Sequence, residues 1–547
     1  MKHLTDTPVE SGLKGDVKEP ALSLRPRRPG KRMGSFLKLC VLLILANIIL
    51  GLYFYSSVSA LRVAIPVCAA IVSVLIAIGL YVYILPGNYA LSWKAAFPVL
   101  FTVCGLSYTL FLSPMTVPDE VYHYTQSYVY SNLMLSGHPD IFRKADLDFL
   151  YSEDPGGITI SAENWRVVNR EIGAELDSSD LQGVIDADRA KVFAPDANPI
   201  QVKIASTLGI AIGRVLGLNA MLTFYLGRLF ALACGLAIIV LAVNITPVGK
   251  NSMMAIALFP MTLQLLGSYS YDSGIIALAF LLTALILKLL YAEGVASTRT
   301  LVCTLLVAVL LAPCKVVYYP IAFLALLAPK ERFASRRAGL IFKVLLVVLP
   351  VAAIVAYRLS TIASLTTAQA GSALDHRGTE TGTFYSISDI LKSPFAFCAM
   401  VLRTFQTLGD FYLTGIVGGD LGWFQQNIEA PYFFSCGMLF ISAIASLPSD
   451  DDATVPSKGM RAMSVLLSVA SGSAIFLSMY LGWTFNTEQI ILGVQGRYFI
   501  PFLPLLYLAL RNGRLETHGR MAMPTMTTLA SIDLMYLAFI AMYALAA

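Results

Sequence analysis

Apolar stretches of about 20 residues recur along almost the whole chain, and no other feature narrows its fold as much. A bilayer's hydrocarbon core is roughly 30 Å thick, so a helix crossing it needs about 20 mostly apolar residues. The first clear stretch, about 35–56, reads FLKLCVLLILANIILGLYFYSS. Hydrophobic residues make up 57% of the chain and charged residues 13%, too few charges to cover a surface facing water. These observations predict an all-α polytopic membrane protein. Residues 1–34 are charged and rich in Pro and Gly, with no apolar core or small-residue cleavage site. They predict a disordered cytoplasmic tail rather than a signal peptide.

The candidate spans are about 35–56, 62–84, 94–112, 219–243, 251–268, 272–292, 299–313, 315–329, 339–359, 431–447, 461–483, 498–511 and 524–546. Short loops rich in Lys and Arg mark the cytoplasmic side. Four such clusters stand in the sequence: Arg25 to Arg32, Lys330 to Arg337, Lys458 with Arg461, and Arg511 to Arg520. All four share one side only if this list of about thirteen spans has the right parity. That condition makes 200–217 and 392–413 interfacial helices rather than spans. Both carry charge within the apolar run, Lys203 and Arg214 in one and Arg403 with Asp410 in the other.

The resulting topology sets 113–199, 360–430 and 484–497 outside the cytoplasm, as loops of a single transmembrane domain over 35–547. The largest, 113–199, holds 15 Asp and Glu against 6 Lys and Arg, the reverse of a nucleic-acid-binding or lipid-headgroup surface. No nucleic-acid partner is expected. The eight cysteines (Cys40, Cys68, Cys104, Cys234, Cys303, Cys314, Cys398 and Cys436) all fall in or beside apolar stretches. Neither structural disulfides nor a cysteine metal site is expected. No repeat of 20–50 residues is visible.

After the third span come Pro118, Asp119 and Glu120, then VYHYTQSYVYSNLML, which reads as an amphipathic helix with Val121, Tyr124, Tyr128 and Leu135 on one face. Asp119 and Glu120 then occupy the first turn, where acids suit the free N–H groups and the helix dipole. The same position also suits a general base at a membrane–water boundary, taking a proton from a polar acceptor. His123, one turn on, is an orienting partner or a plain interfacial histidine.

The segment PDE-x-x-H-Y with its following helix, ending near Ser136-Gly137-His138-Pro139-Asp140, resembles the first outer loop of GT-C membrane glycosyltransferases. Asn198-Pro199-Ile200-Gln201, Leu216-Gly217-Leu218-Asn219 and Gly227-Arg228-Leu229 resemble the juxtamembrane helix and next span of that superfamily. Phe259-Pro260-Met261-Thr262, Ser270-Tyr271-Asp272, Leu421-Gly422-Trp423 and Gly493 to Phe499 (GVQGRYF) are similar to a bacterial membrane family of unknown function grouped with the GT-C enzymes. The resemblance covers about 94–510. It departs at Val117, where that family often has a second proline, and 141–197 matches nothing.

The resemblance implies a GT-C-like helical bundle. Its activity would be inverting transfer of a sugar from a polyprenyl-phosphate or pyrophosphate donor to a hydroxyl of a cell-envelope glycan, lipid or protein. The site would face outward from a bacterial plasma membrane. In that superfamily the loop Asp is catalytic, which assigns the base to Asp119, with Glu120 as a second candidate or its orienting partner. The departing phosphate should meet cations at the outer membrane edge. Arg497 is the first choice, followed by Lys203, Arg214 and Arg403. Candidate substrate contacts are His123, Tyr124, Asp272, His376, Trp423, Gln495 and Tyr498, although Asp272 also reads as a helix cap and the aromatics as an interfacial belt. Asp375-His376-Arg377 with Glu380 has too few ligands for a metal site. No cofactor is predicted, and dependence on a divalent metal stays open. Competing readings are a lipid-linked glycan transporter or flippase, a lipid-linked polymer ligase, and a non-catalytic envelope-assembly protein.

Overall fold

The structure is a computed structural model. It describes residues 41, 93–138, 141–146, 149, 162–173, 183–184, 199–367, 373–374, 381–419, 421–422, 431–517 and 519–546. The spans expected at 35–56 and 62–84 and the tail at 1–34 lie outside the described residues, apart from the single residue Val41.

The described chain is almost wholly helical. Its only strands are two antiparallel pairs of two-residue segments, Ile141–Phe142 with Gly183–Val184 and Ala373–Leu374 with Thr381–Gly382. In chain order the helices that frame the site are α1 (Trp93–Phe111), α2 (Glu120–Leu135), α3 (Ile204–Val215), α4 (Ala220–Ile245), α5 (Lys250–Ala257), α6 (Pro260–Leu266), α7 (Asp272–Tyr291), α8 (Thr298–Leu311), α9 (Arg336–Thr367), α10 (Pro394–Val417), α11 (Pro431–Ser446), α12 (Lys458–Gly482) and α13 (Ala522–Ala546). Six of them are long and apolar enough to cross a membrane: α1, α4, α7, α9, α12 and α13. Shorter apolar helices lie at Ile204–Val215, Thr298–Leu311, Val316–Leu327, Phe434–Ser446 and Gly496–Leu510. The protein is therefore a helical, multi-pass membrane protein.

Three expected spans take a different form, each for a reason traceable to proline. The stretch 251–268 is two helices, α5 and α6, meeting at Leu258-Phe259. Pro260 lacks the N–H that would continue the first helix, and it starts the second at its first position. The stretch 315–329 winds as a 3-10 helix over Val316–Leu327 around Pro320. The stretch 498–511 mixes 3-10 turns with one short α segment around Pro501 and Pro504. A 3-10 helix rises about 2 Å per residue, so 12 residues reach roughly 24 Å, where an α-helix would reach about 18 Å. The expected thirteen regular spans are thus not what the described residues display.

The expected interfacial segment 200–217 forms a short 3-10 turn followed by the twelve-residue α3. The segment 392–413 is part of α10, whose 24 residues would reach about 36 Å. Exposed Arg403 and Asp410 separate α10 from the six apolar helices.

Close backbone contacts hold the bundle. A Cβ on Gly209 of α3 would lie 2.7 Å from the Cα of Gly227 on α4, so only glycines permit this crossing. The helix α7 is buried along most of its length and forms the bundle's centre. Its far end is held by Arg332, whose Nε donates to the Leu289 carbonyl at 2.7 Å, with a further bond to the Gly294 carbonyl. At the far end of α4, Arg511 donates to the Asp452 carboxylate at 2.9 Å, and the same carboxylate accepts from the Gly249 N–H at 3.2 Å. Two of the basic loops therefore lie at the end of the bundle opposite the first turns of α2 and α7.

Candidate functional site

The site is built on the turn between α1 and α2. Met115 and Asp119 both take left-handed backbone conformations, with φ of 63° and 62°. Such conformations cost an L-residue about 1–2 kcal/mol, least for Asn and Asp. Arg228 of α4 holds this turn in place. It donates to the carbonyls of Thr109, Leu112 and Ser113 at 3.2, 2.5 and 3.0 Å, satisfying the open end of α1. The same guanidinium forks onto Glu120, Nε to Oε1 at 2.8 Å and Nη2 to Oε2 at 2.5 Å. The Tyr269 N–H donates to Glu120 Oε1 at 3.2 Å. Both members of the pair are wholly buried. Glu120 is thus an internal anchor turned into the bundle, and it makes no contact with Asp119 that would orient it.

Asp119 points the other way. Its side chain is 52% exposed, and although it occupies the N-cap position of α2 it makes no capping bond. Instead Oδ2 lies 3.4 Å from Arg497 Nη2. Arg497 sits in the 3-10 segment Gly496–Phe502 and is only 4% exposed. Gly496 lets this segment cross α10 against the backbone of Tyr412, Gly415 and Ile416, which fixes where Arg497 emerges. Nε of Arg497 lies 3.2 Å from Asp272 Oδ2, and Lys315 Nζ lies 2.9 Å from Oδ1 of the same carboxylate. Asp272 was expected as a cap. Tyr271 takes the cap position instead, and the Asp272 carboxylate is shared by two cations.

Aromatic faces complete the cluster. Lys315 Nζ stands 3.9 Å from the Tyr498 ring centre and 4.7 Å from that of Tyr271. The backbone carbonyl of Tyr498 accepts from the Tyr318 hydroxyl at 3.0 Å. The His123 ring packs edge-to-face on Tyr271 with centres 4.7 Å apart. His123 is buried, and its Nδ1 has no hydrogen-bond partner among the described residues. Burial first, then the positive charges of Lys203, Arg497 and Lys315, push its pKa well below the ordinary histidine value. Lys203 lies 5.6 Å from the Tyr122 ring centre. Gln495 Oε1 and Arg497 Nη1 are buried without hydrogen-bond partners among the described residues.

The remaining candidates lie elsewhere. Arg214 stacks on Tyr128, 4.5 Å from the ring centre, and donates to Ser131 and Asn132 at 2.8 and 2.6 Å. Those partners lie about 14–20 Å along α2 from Asp119. Arg403 is exposed and bonds Gln489 at 2.7 Å. Tyr124 is packed among Tyr128, Phe224 and Tyr269 in a buried aromatic group. His376 and Trp423 fall outside the described residues. Next to Trp423 in sequence, the Gly422 N–H donates to Gln264 at 2.9 Å, and Gly422 approaches the carbonyl of Thr116 in the Asp119 turn.

Two residues of consequence carry no role in the sequence reading. Arg228 appears there only within the motif Gly-Arg-Leu. Lys315 is a charge at the start of the apolar run 315–329, and that anomaly is the signal that could have placed it here. The site thus gathers Asp119, Asp272, Arg497, Lys315, Lys203 and neutral His123 at one end of the bundle. Such an arrangement can bind an anion beside an exposed carboxylate.

No curated protein and no solved structure matches the chain. The family model described as predicted membrane protein (DUF2142) matches residues 103–506, from the middle of α1 through the segment that carries Arg497. The chain belongs to the DUF2142 family of predicted membrane proteins.

Proposed function

We propose that this protein is a GT-C-type inverting glycosyltransferase that moves a sugar from a polyprenyl-phosphate donor to a hydroxyl of a cell-envelope acceptor. The observation that carries the reading is the pairing of exposed Asp119 with buried Arg497 at 3.4 Å. A base for the acceptor and a cation for the leaving phosphate must lie close together, because one transition state uses both. Paired as they are, the two groups neutralise each other. A donor phosphate that engages Arg497 releases Asp119 to accept the hydroxyl proton. The membrane supplies the donor from the side, and the half-exposed carboxylate meets a polar acceptor from water. The basic loops at the other end of the bundle favour a cytoplasmic placement for that end and an outward-facing site in a bacterial plasma membrane.

The test is transfer by protein in nanodiscs supplied with a panel of polyprenyl-phosphate sugars, with release of polyprenyl phosphate as the readout. Asp119→Asn should lower release by about 100-fold or more. A fully active Asp119→Asn variant would sink the assignment.

One group of observations favours a second reading, lipid-linked glycan translocation. Asp533 lies at the middle of α13, fully buried, with neither carboxylate oxygen partnered among the described residues. Ionisable groups at mid-membrane and interrupted helices such as α5–α6 occur in transporters. Loss of lipid translocation in Asp533→Asn proteoliposomes, with no transferase activity in the parent protein, would favour this reading over the first.

A further inference from the structure

We infer that Lys315 is the second cation of the phosphate subsite and acts with Arg497 on a single lipid-borne phosphate group. The inference rests on the glycosyl-transfer reading and adds to it a residue and a ligand geometry.

Asp272 presents one oxygen to Lys315 at 2.9 Å and the other to Arg497 at 3.2 Å. The two cations are therefore already held at the spacing of two oxygens on one small anion. A phosphate has oxygens at nearly the same spacing as a carboxylate, so it can bridge the pair as Asp272 does. Lys315 is also fixed from two further directions by the rings of Tyr498 and Tyr271. Its ammonium is preorganised, which reduces the ordering cost of binding. On the Arg497 side, Nη1 is buried with no hydrogen-bond partner among the described residues, and His123 Nδ1 shares that state. Buried polar atoms without partners are costly, and a bound polar ligand removes the cost. The first turn of α7, where the helix dipole is positive, adds to the same field.

The chemistry uses this second charge. In the transfer step the bond between the anomeric carbon and the phosphate oxygen breaks, and its electron pair stays on that oxygen. The acceptor oxygen forms the new bond to carbon, and its proton passes to the Asp119 carboxylate. The phosphodiester enters with one negative charge, and the phosphomonoester that leaves carries two. Arg497 pairs with both Asp119 and Asp272, and Lys315 pairs with Asp272. As Asp119 takes the proton it loses its charge, so the cluster gains one positive charge as the phosphate gains one negative. Lys315 and Arg497 are the cations placed to meet it.

The experiment measures binding of farnesyl phosphate and of inorganic phosphate to the full chain in nanodiscs. Lys315→Met should weaken farnesyl phosphate binding at least tenfold, Lys315→Arg should restore most of it, and farnesol should show no dependence on residue 315. Farnesyl phosphate binding at least tenfold tighter than inorganic phosphate supports a lipid-borne ligand; equal affinities overturn that part of the inference. Because Lys315→Met removes an ion pair and can fail to fold, wild-type protein is also probed by reductive methylation. Farnesyl phosphate should protect Lys315 from modification. Unaltered affinity in folded Lys315→Met, or no protection of Lys315, would overturn the inference, whereas the Asp119→Asn assay decides the glycosyl-transfer reading separately.

Discussion

Arg497 reaches Asp119 from 378 residues further along the chain, with Nη2 lying 3.4 Å from the carboxylate. Each residue is placed by a different glycine or arginine device. Arg228 fixes the turn that carries Asp119, and Gly496 fixes the crossing that delivers Arg497. The neighbouring acids Asp119 and Glu120 are consequently split between two tasks, one open to ligand and one locked in the interior.

That split predicts opposite phenotypes. Glu120→Gln leaves Arg228 buried beside an uncharged partner, and breaking a buried ion pair costs about 3–5 kcal/mol. The variant should lose much of its folded yield, with a lower thermal unfolding temperature in detergent. Unfolding at the wild-type temperature would show that the pair contributes nothing net.

Asp119 tests its backbone as well as its charge. Asn suits the left-handed region as Asp does, so Asp119→Asn should unfold like the wild type. Asp119→Ala should be destabilised by about 1 kcal/mol, because alanine pays the full steric cost at φ 62°. Asp119→Gly should restore stability without restoring transfer. Calorimetry on the three variants checks the order; equal stability of Ala and Gly would show that the turn is unstrained.

His123 sets a pH dependence. Its folded-state pKa is held well below the ordinary value by burial and by Lys203, Arg497 and Lys315. As pH falls through about 6.5 the unfolded chain takes up a proton that the folded chain refuses, so stability is lost toward acid. The slope from this one group approaches about 1.4 kcal/mol per pH unit. Chemical unfolding between pH 7.5 and 5 should therefore be less steep for His123→Gln than for wild type. Parallel profiles would mean that His123 titrates alike in both states.

Gly496→Ala places a methyl group against the backbone of Tyr412, Gly415 and Ile416. Overpacking of this kind costs about 1–3 kcal/mol. Because neither α10 backbone nor the 3-10 segment can yield locally, Arg497 should shift, and farnesyl phosphate binding should weaken more than the stability loss explains. Wild-type binding in a destabilised variant would separate the crossing from the site.

Much of the site's membership was legible in the chain. Asp119 and Arg497 stood out in the family-like segments PDE and QGRYF, Asp272 as an acid at a helix start, and Lys203 as a charge within an apolar run. Arg214 stood out for the same reason and belongs to the far end of α2 instead. Sequence position could not separate the two cases, because Lys203 caps one end of α3 and Arg214 lies in its last turn. The capping expectation for Asp272 failed similarly: helix position is local, whereas Lys315 and Arg497 come from two other segments. The place of Lys315 could not be read from sequence, since it depends on the 3-10 winding of Val316–Leu327 that sets the segment against α7.

The sequence by itself determined the solvent, the helical class and the segregation of basic loops. These depend on composition and on hydrophobic length, quantities that each segment carries alone. Tertiary structure decided which acids are open and which are locked, which cations share a carboxylate, and which apolar stretches are broken or wound as 3-10 helix. Those outcomes depend on distances between segments far apart in the chain. At the scale of a hydrogen bond, one step along the chain, from Asp119 to Glu120, exchanges an exposed carboxylate for a buried anchor.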